Sequence, residues 1–152
     1  TSKRKAEAKA AGLTPNEVII MASIVDQETA NSEEKPMVAG MYLNRLHQGM
    51  KLQADPTVKF ALKQFALKRI LHEHLSVDSP YNTYRHEGLP PGPIAIPALS
   101  SIEAVLHFAH HDYIYMCAKE DFSGTHNFAK TYEEHLANAR KYAEALNERG
   151  IK

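Results

Sequence analysis

The chain has 152 residues, 43% hydrophobic and 24% charged, which is ordinary for one globular domain with a core of its own. Eighteen basic and eighteen acidic residues cancel, so non-specific binding to nucleic acid has no electrostatic support. No apolar run reaches the roughly 18 residues a membrane span needs, and the single cysteine, Cys117, cannot form an internal disulfide.

Residues 2–11 are rich in helix formers but lack an apolar stripe, and Gly12 ends them. Thr14 then opens a helix over about 15–29. It can cap, Pro15 suits the first helical position, and Glu17 lies three residues on, as a capping box requires. At about 100° per residue, Glu28 falls close to Met21, with Ile24 and Val25 to either side, while Asp26 turns toward Ile19 and Ser23. One acid therefore sits on the face due for burial. Apolar surroundings and the negative end of the helix dipole both favour a carboxyl that keeps its proton, as a general acid must. The bland alternative is an acid at a helix end that reaches out to water.

Asn31-Ser-Glu-Glu34 predicts the start of a second helix, with Val38, Tyr42 and Leu46 along one face, Ala39 and Leu43 beside them, and Gly49 as its stop. Asn44 and Arg45 are expected toward solvent or between helices. Met50–Gln53 could be extended, and Ala54-Asp-Pro-Thr57 reads as a turn into a helix with Asp55 or Thr57 near its cap. Apolar residues at 58, 62, 65, 67, 70, 71 and 75 predict one broken helix or two short ones. Five prolines and two glycines between Asp78 and Pro97 exclude a regular helix there, and so long a loop is often functional. Ser100 with Glu103 predicts another capping box, Tyr113–Ala118 a strand, Thr125–Phe128 its partner, and Thr131 with Glu134 a third box before a last helix to about Asn147.

His107, His110 and His111 cluster beside Asp112, but one i, i+4 pair falls short of the three or four convergent ligands of a zinc site, so no metal or cofactor is expected. Cys117 lies among apolar residues with nothing to activate it, and no G-x-S-x-G turn or phosphate-cradling glycine loop is present. What remains is Glu28 with a set of amides, hydroxyls and rings: Gln53, Asp55, Thr57, Tyr81, Asn82, Thr83 and Tyr84. Such groups bind sugars, the rings against pyranose faces and the polar groups on the hydroxyls. Ordered turns would use the same residues.

Five segments carry a resemblance: Ala22–Thr29, Val38–Leu46, Gly49–Val58, Ser79–Tyr84 and Gly88–Ile94. In order and spacing they are similar to the catalytic domain of the bacterial endolytic murein transglycosylases, the YceG-like family. The similarity continues through Tyr113-Ile-Tyr and His126-Asn-Phe to the last helix. It implies an α+β fold, a mainly helical lysozyme-like core with a small β-hairpin, over residues 13–152. Residues 1–12 would be the junction to a missing upstream region carrying a membrane helix and a LysM-like domain. It also implies cleavage of the MurNAc–GlcNAc bond of nascent peptidoglycan strands at the outer face of the cytoplasmic membrane, with a peptidoglycan synthase (a penicillin-binding protein) as a candidate partner and no membrane contact by this fragment. Glu28 matches the family's catalytic acid. Asp26 stands where the family more often has Glu, and Gln53, Asp55, Thr57 and the Tyr81–Tyr84 segment match residues lining its glycan cleft. Two competing readings stay open: a hydrolytic muramidase in which Asp55 or Asp26 activates water, and a peptidoglycan-binding module without turnover.

Overall fold

Thr14 starts the central helix as its sequence requires. In the computed structural model, which describes residues 2–63 and 71–150, the Glu17 N–H donates to Thr14 Oγ1 at 3.2 Å and the Thr14 N–H to the Glu17 carboxylate at 2.8 Å. The resulting helix α2 (Pro15–Glu28) buries Val18 and every residue from Ile20 to Val25. A helix apolar nearly all round must be surrounded, and it is. Helices α1 (Ser2–Ala10), α3 (Lys35–His47), α4 (Asp55–Leu62) and α5 (Leu99–Leu106) all contact it.

Helix α1 has few apolar residues and buries only Ala8. Arg4 bonds Glu103 at 2.8 Å, Glu7 meets His107, and Gly12 ends the segment at φ +78°. Helix α3 begins at Lys35, four residues later than the acidic segment predicts. Asn31 Oδ1 instead accepts the N–H groups of Glu33 (3.0 Å) and Glu34 (3.2 Å), and the later start lets Pro36 fall in the first turn, where its missing N–H costs nothing. Val38, Ala39, Tyr42 and Leu43 are buried as expected. Asn44 and Arg45 are not on the solvent side: Asn44 donates to the carbonyls of His111 (2.8 Å) and Tyr113 (2.9 Å), and Arg45 is 6% exposed.

Helix α4 has Ala54 as its cap residue, and Asp55 and Thr57 follow in its first turn, near the cap as expected. Its cap is held from outside, because the Ala54 N–H donates to Thr83 Oγ1 at 2.8 Å. Of the broken helical region read from 58 to 75, Val58–Leu62 is helical and His72–Ser76 forms a 3₁₀ turn; residues 64–70 lie outside the described residues. The proline-rich span from 78 to 97 contains turns and bends and no regular helix. The capping box expected at Ser100 and Glu103 does not form. The cap is Ala98, whose N–H donates to Asp26 Oδ1 at 3.1 Å, while Ser100 accepts from Lys35 and Glu103 from Arg4.

Strands β1 (Tyr115–Ala118) and β2 (His126–Ala129) pair antiparallel, with Cys117 opposite Asn127. Thr131 caps helix α6 (Tyr132–Glu148), its hydroxyl accepting the Glu134 N–H at 3.2 Å and contacting the Glu134 carboxylate at 3.0 Å. The described residues thus hold six α-helices and one two-stranded sheet, the α+β arrangement expected. Helix α6 packs on the hairpin, and the two together stand across a cleft from the ends of α2, α3 and α4.

Candidate active site

Glu28 is the last residue of α2, where the helix leaves its buried path and meets the cleft. Its carboxylate accepts a hydrogen bond from the hydroxyl of Tyr42 on α3. Burial pushes the Glu28 carboxyl up to about 7, and the neighbouring Asp55 charge pushes the same way. His126, the Tyr42 hydrogen bond and Lys59 pull it back in part. Burial and the Glu28 charge together hold Tyr42 well above the ordinary phenol range, so it stays a donor.

Asp55 is the first residue of α4. Burial raises its carboxyl, and the Tyr84 hydroxyl, donating at 2.5 Å, opposes that rise. Between the two acids runs the turn at Gln53, a non-glycine residue at φ +51°. The turn is held by the Gln53 N–H donating to Thr83 O at 3.2 Å. Arg45 fixes the Gln53 side chain through Nη2–H to Oε1 at 3.1 Å, which leaves the Gln53 amide N–H groups, unbonded among the described residues, to donate. Arg45 also donates to the carbonyls of Lys51 (2.9 Å) and Ile114 (2.6 Å) and lies over the Tyr115 ring at 5.5 Å. One buried guanidinium therefore ties α3, the Gln53 turn and the hairpin together.

The opposite wall is the hairpin and α6. Thr29 Oγ1 donates to Gly124 O at 3.4 Å, holding the hairpin turn to the end of α2. His126 projects into the cleft from β2, and His135 on α6 stacks on Tyr115 with ring centroids 5.0 Å apart. The cleft encloses about 460 Å³, within the range of pockets that hold a sugar-sized ligand. Among the described residues no group of three histidines, cysteines or acids could hold a metal ion. What the arrangement offers is proton transfer at Glu28, with a second carboxyl, Asp55, nearby in a cleft of hydrogen-bond donors and rings.

Of the residues singled out from sequence, Glu28, Gln53, Asp55 and Tyr84 line the cleft. Thr57, Asn82 and Thr83 do not face it: each is 2% exposed or less. Thr57 and Thr83 share a hydroxyl contact at 2.9 Å under the Gln53 turn, and Asn82 donates to the carbonyls of Leu75 and Val77. They shape the wall from behind. Tyr81 packs its ring tilted at 43° against Phe60, centroids 4.8 Å apart, outside this cavity. Asp26, as the helical phase indicates, is turned away; it accepts from Ala98 N–H and Ser101 Oγ (2.8 Å), which holds its carboxyl below the ordinary range. Tyr42, Arg45, Lys59 and His126 were not anticipated as site residues. The signal for Tyr42 was present, since it lies on the apolar face of α3 with a hydroxyl that a fully buried ring must satisfy.

A family model described as the YceG-like family matches residues 1–141. The chain is 39% identical, over 95% of its length, to an endolytic murein transglycosylase of Bacillus subtilis, and 33% identical, over 88%, to one of Streptococcus pneumoniae. It spans 39% and 25% of the lengths of those two proteins. A crystal structure of a YceG-like protein from Listeria monocytogenes superposes with a TM-score of 0.80 at 38% identity, covering 90% of this chain and 44% of that one.

Proposed function

The chain belongs to the YceG-like family, and we propose that it is the catalytic part of an endolytic lytic transglycosylase, a carbon–oxygen lyase that cuts the MurNAc–GlcNAc β-1,4 bond of peptidoglycan strands. The observation that carries this reading is Glu28 at the cleft, a buried carboxyl that accepts from the Tyr42 hydroxyl and is raised to about 7. A carboxylic acid that holds its proton near neutrality can donate it to the glycosidic oxygen as the C1–O bond breaks and positive charge develops on the sugar. The Glu28 carboxylate so formed then takes the proton of the muramoyl C6 hydroxyl, whose oxygen closes on C1. The product is a 1,6-anhydromuramoyl end, and no water is consumed. One carboxylate serves both steps because the nucleophile belongs to the substrate.

Tyr42 donates its hydroxyl to Glu28 Oε2, a bond compatible with either protonation state so long as the acid proton sits on the other oxygen, and so orients the carboxyl. Gln53 and Tyr84 supply amide and ring contacts to the glycan, while Thr57, Asn82 and Thr83 support the wall. Acid–base help of this kind contributes about 10²–10⁴-fold, so binding and sugar distortion along the cleft must supply the rest. In this reading residues 1–12 join the domain to an upstream anchor, and the enzyme works on nascent strands at the outer face of the cytoplasmic membrane beside a peptidoglycan synthase.

Asp55 favours a second reading, a hydrolytic muramidase, because it shares the cleft and hydrolytic glycosidases use two carboxyls about 5–10 Å apart. Asp26 has no such place, being bound to the start of α5. The experiment that tests the proposal is digestion of uncrosslinked glycan by wild type and Glu28→Gln. Turnover is expected to fall at least a hundredfold while binding to the glycan persists; a Glu28→Gln protein that still cleaves at the wild-type rate removes Glu28 from the mechanism.

A further inference from the structure

Across the cleft from Glu28 stands a clamped imidazole. Glu34, in the turn before α3, grips His126 twice: Oε1 accepts the His126 backbone N–H at 2.5 Å, and Oε2 meets His126 Nδ1 at 3.0 Å. Both side chains are nearly buried, at 11% and 9% exposure. A carboxylate can only accept, so Nδ1 carries the hydrogen and the ring is fixed in orientation. Nε2 takes no hydrogen bond from the described residues, and His126 lines the cleft.

We propose that the Glu34–His126 pair is a positioning device for Glu28: with Nδ1–H taken by Glu34 the clamped ring turns Nε2 to the cleft, and as the imidazolium, which donates from both nitrogens, it stabilises the carboxylate that Glu28 becomes between its two proton transfers. The inference rests on the transglycosylase reading and adds to it. In the first transfer the Glu28 proton goes to the glycosidic oxygen, which leaves with the C1–O electron pair; in the second the C6 hydroxyl proton returns to Glu28 as the C6 oxygen bonds C1. In between, Glu28 bears a full negative charge with Asp55 close by as an unfavourable neighbour. His126, Tyr42 and Lys59 are the groups that favour that charge, and of these His126 is the one held in place by a buried carboxylate of its own. The other ionisable groups facing the carboxyl are Tyr84 from the loop after residue 80, Arg45 from α3, Tyr115 and Cys117 from β1, and His135 and Tyr142 from α6.

The test is His126→Gln, with the Glu28 titration followed directly by carboxyl carbon NMR and the unfolding temperature checked at pH 5. The Glu28 midpoint is expected to rise by about half a unit to one unit. Turnover at pH 6, where Glu28 keeps its proton in both proteins and differs only in acid strength, is expected to fall about two- to fivefold. A midpoint that does not move overturns the inference, as does a moved midpoint with unchanged turnover. An unmoved midpoint with slower turnover and a lower unfolding temperature would assign His126 a merely structural role. The NMR titration needs no turnover, so it reads the His126–Glu28 coupling even if Glu28→Gln shows the transglycosylase reading itself to be wrong.

Discussion

Glu28 should cost the protein stability, and replacing it by Gln should recover that cost in a pH-dependent way. The folded carboxyl titrates at about 7, against 4.5 for the free group. Between those values the folded state keeps a proton that the unfolded chain has lost, so stability falls as pH rises through the window. At about 1.36 kcal/mol per unit, the 2.5-unit difference between those two values sets an upper bound of about 3.4 kcal/mol. The loss is complete above pH 7 and absent below about 4.5. Gln has nearly the shape of the protonated acid and can still accept from Tyr42. Urea or thermal unfolding of wild type and Glu28→Gln at pH 4.5 and 8.5 is the assay. The two proteins should match within about 0.5 kcal/mol at the lower pH. At the higher pH the variant should be more stable by about 2–3 kcal/mol, or roughly 6–10 °C for a chain of this size. A stability difference that is the same at both pH values would mean that Glu28 titrates as an ordinary exposed acid, and the reasoning from its burial would fail.

Asp55→Asn removes the charge that helps hold Glu28 protonated, while the amide oxygen still accepts from Tyr84. The alkaline limb of kcat/KM against pH should therefore move down by about half a unit to one unit; a limb that stays in place would uncouple the two acids. Gly40→Ala would gain up to about 1 kcal/mol from helix propensity at an open site. Here the new Cβ would lie 2.3 Å from the Ala109 carbonyl oxygen and 2.8 Å from His111 Nε2. The urea midpoint should drop, by about 1–3 kcal/mol in stability, and a neutral or stabilising result would show that the segment after α5 does not press on α3.

The parts legible in the sequence were those set by neighbours in the chain. The Thr14 cap, the phase that separates Glu28 from Asp26, the hairpin and the start of α6 all rest on contacts within a few residues. The parts that were not legible depend on long-range partners. Ser100 and Glu103 have the spacing of a capping box, but Asp26, 72 residues from Ala98, takes the cap N–H instead. Arg45 reads equally as a solvent-side or an interhelix residue, and what decides is the carbonyl of Ile114, 69 residues on, and the Gln53 amide, which close round it. Asn31 has start-of-helix chemistry and spends it on a turn, because Pro36 fixes where the helix can begin. Thr57, Asn82 and Thr83 are of types that bind sugars, and the same hydroxyls and amide serve equally well as buried bolts between a turn and a helix start. His126 offered no local signal at all, since the acid that fixes it lies 92 residues upstream.

The account turns on one acid acting with a nucleophile supplied by the substrate, and the glycan products test that most directly. Mass spectrometry of uncrosslinked strands digested by the wild-type protein should show new muramoyl ends in the 1,6-anhydro form, with no added water and no label incorporated from H₂¹⁸O. Reducing ends carrying the mass of one water, with ¹⁸O incorporated, would contradict the account and give the catalytic role to Glu28 and Asp55 together.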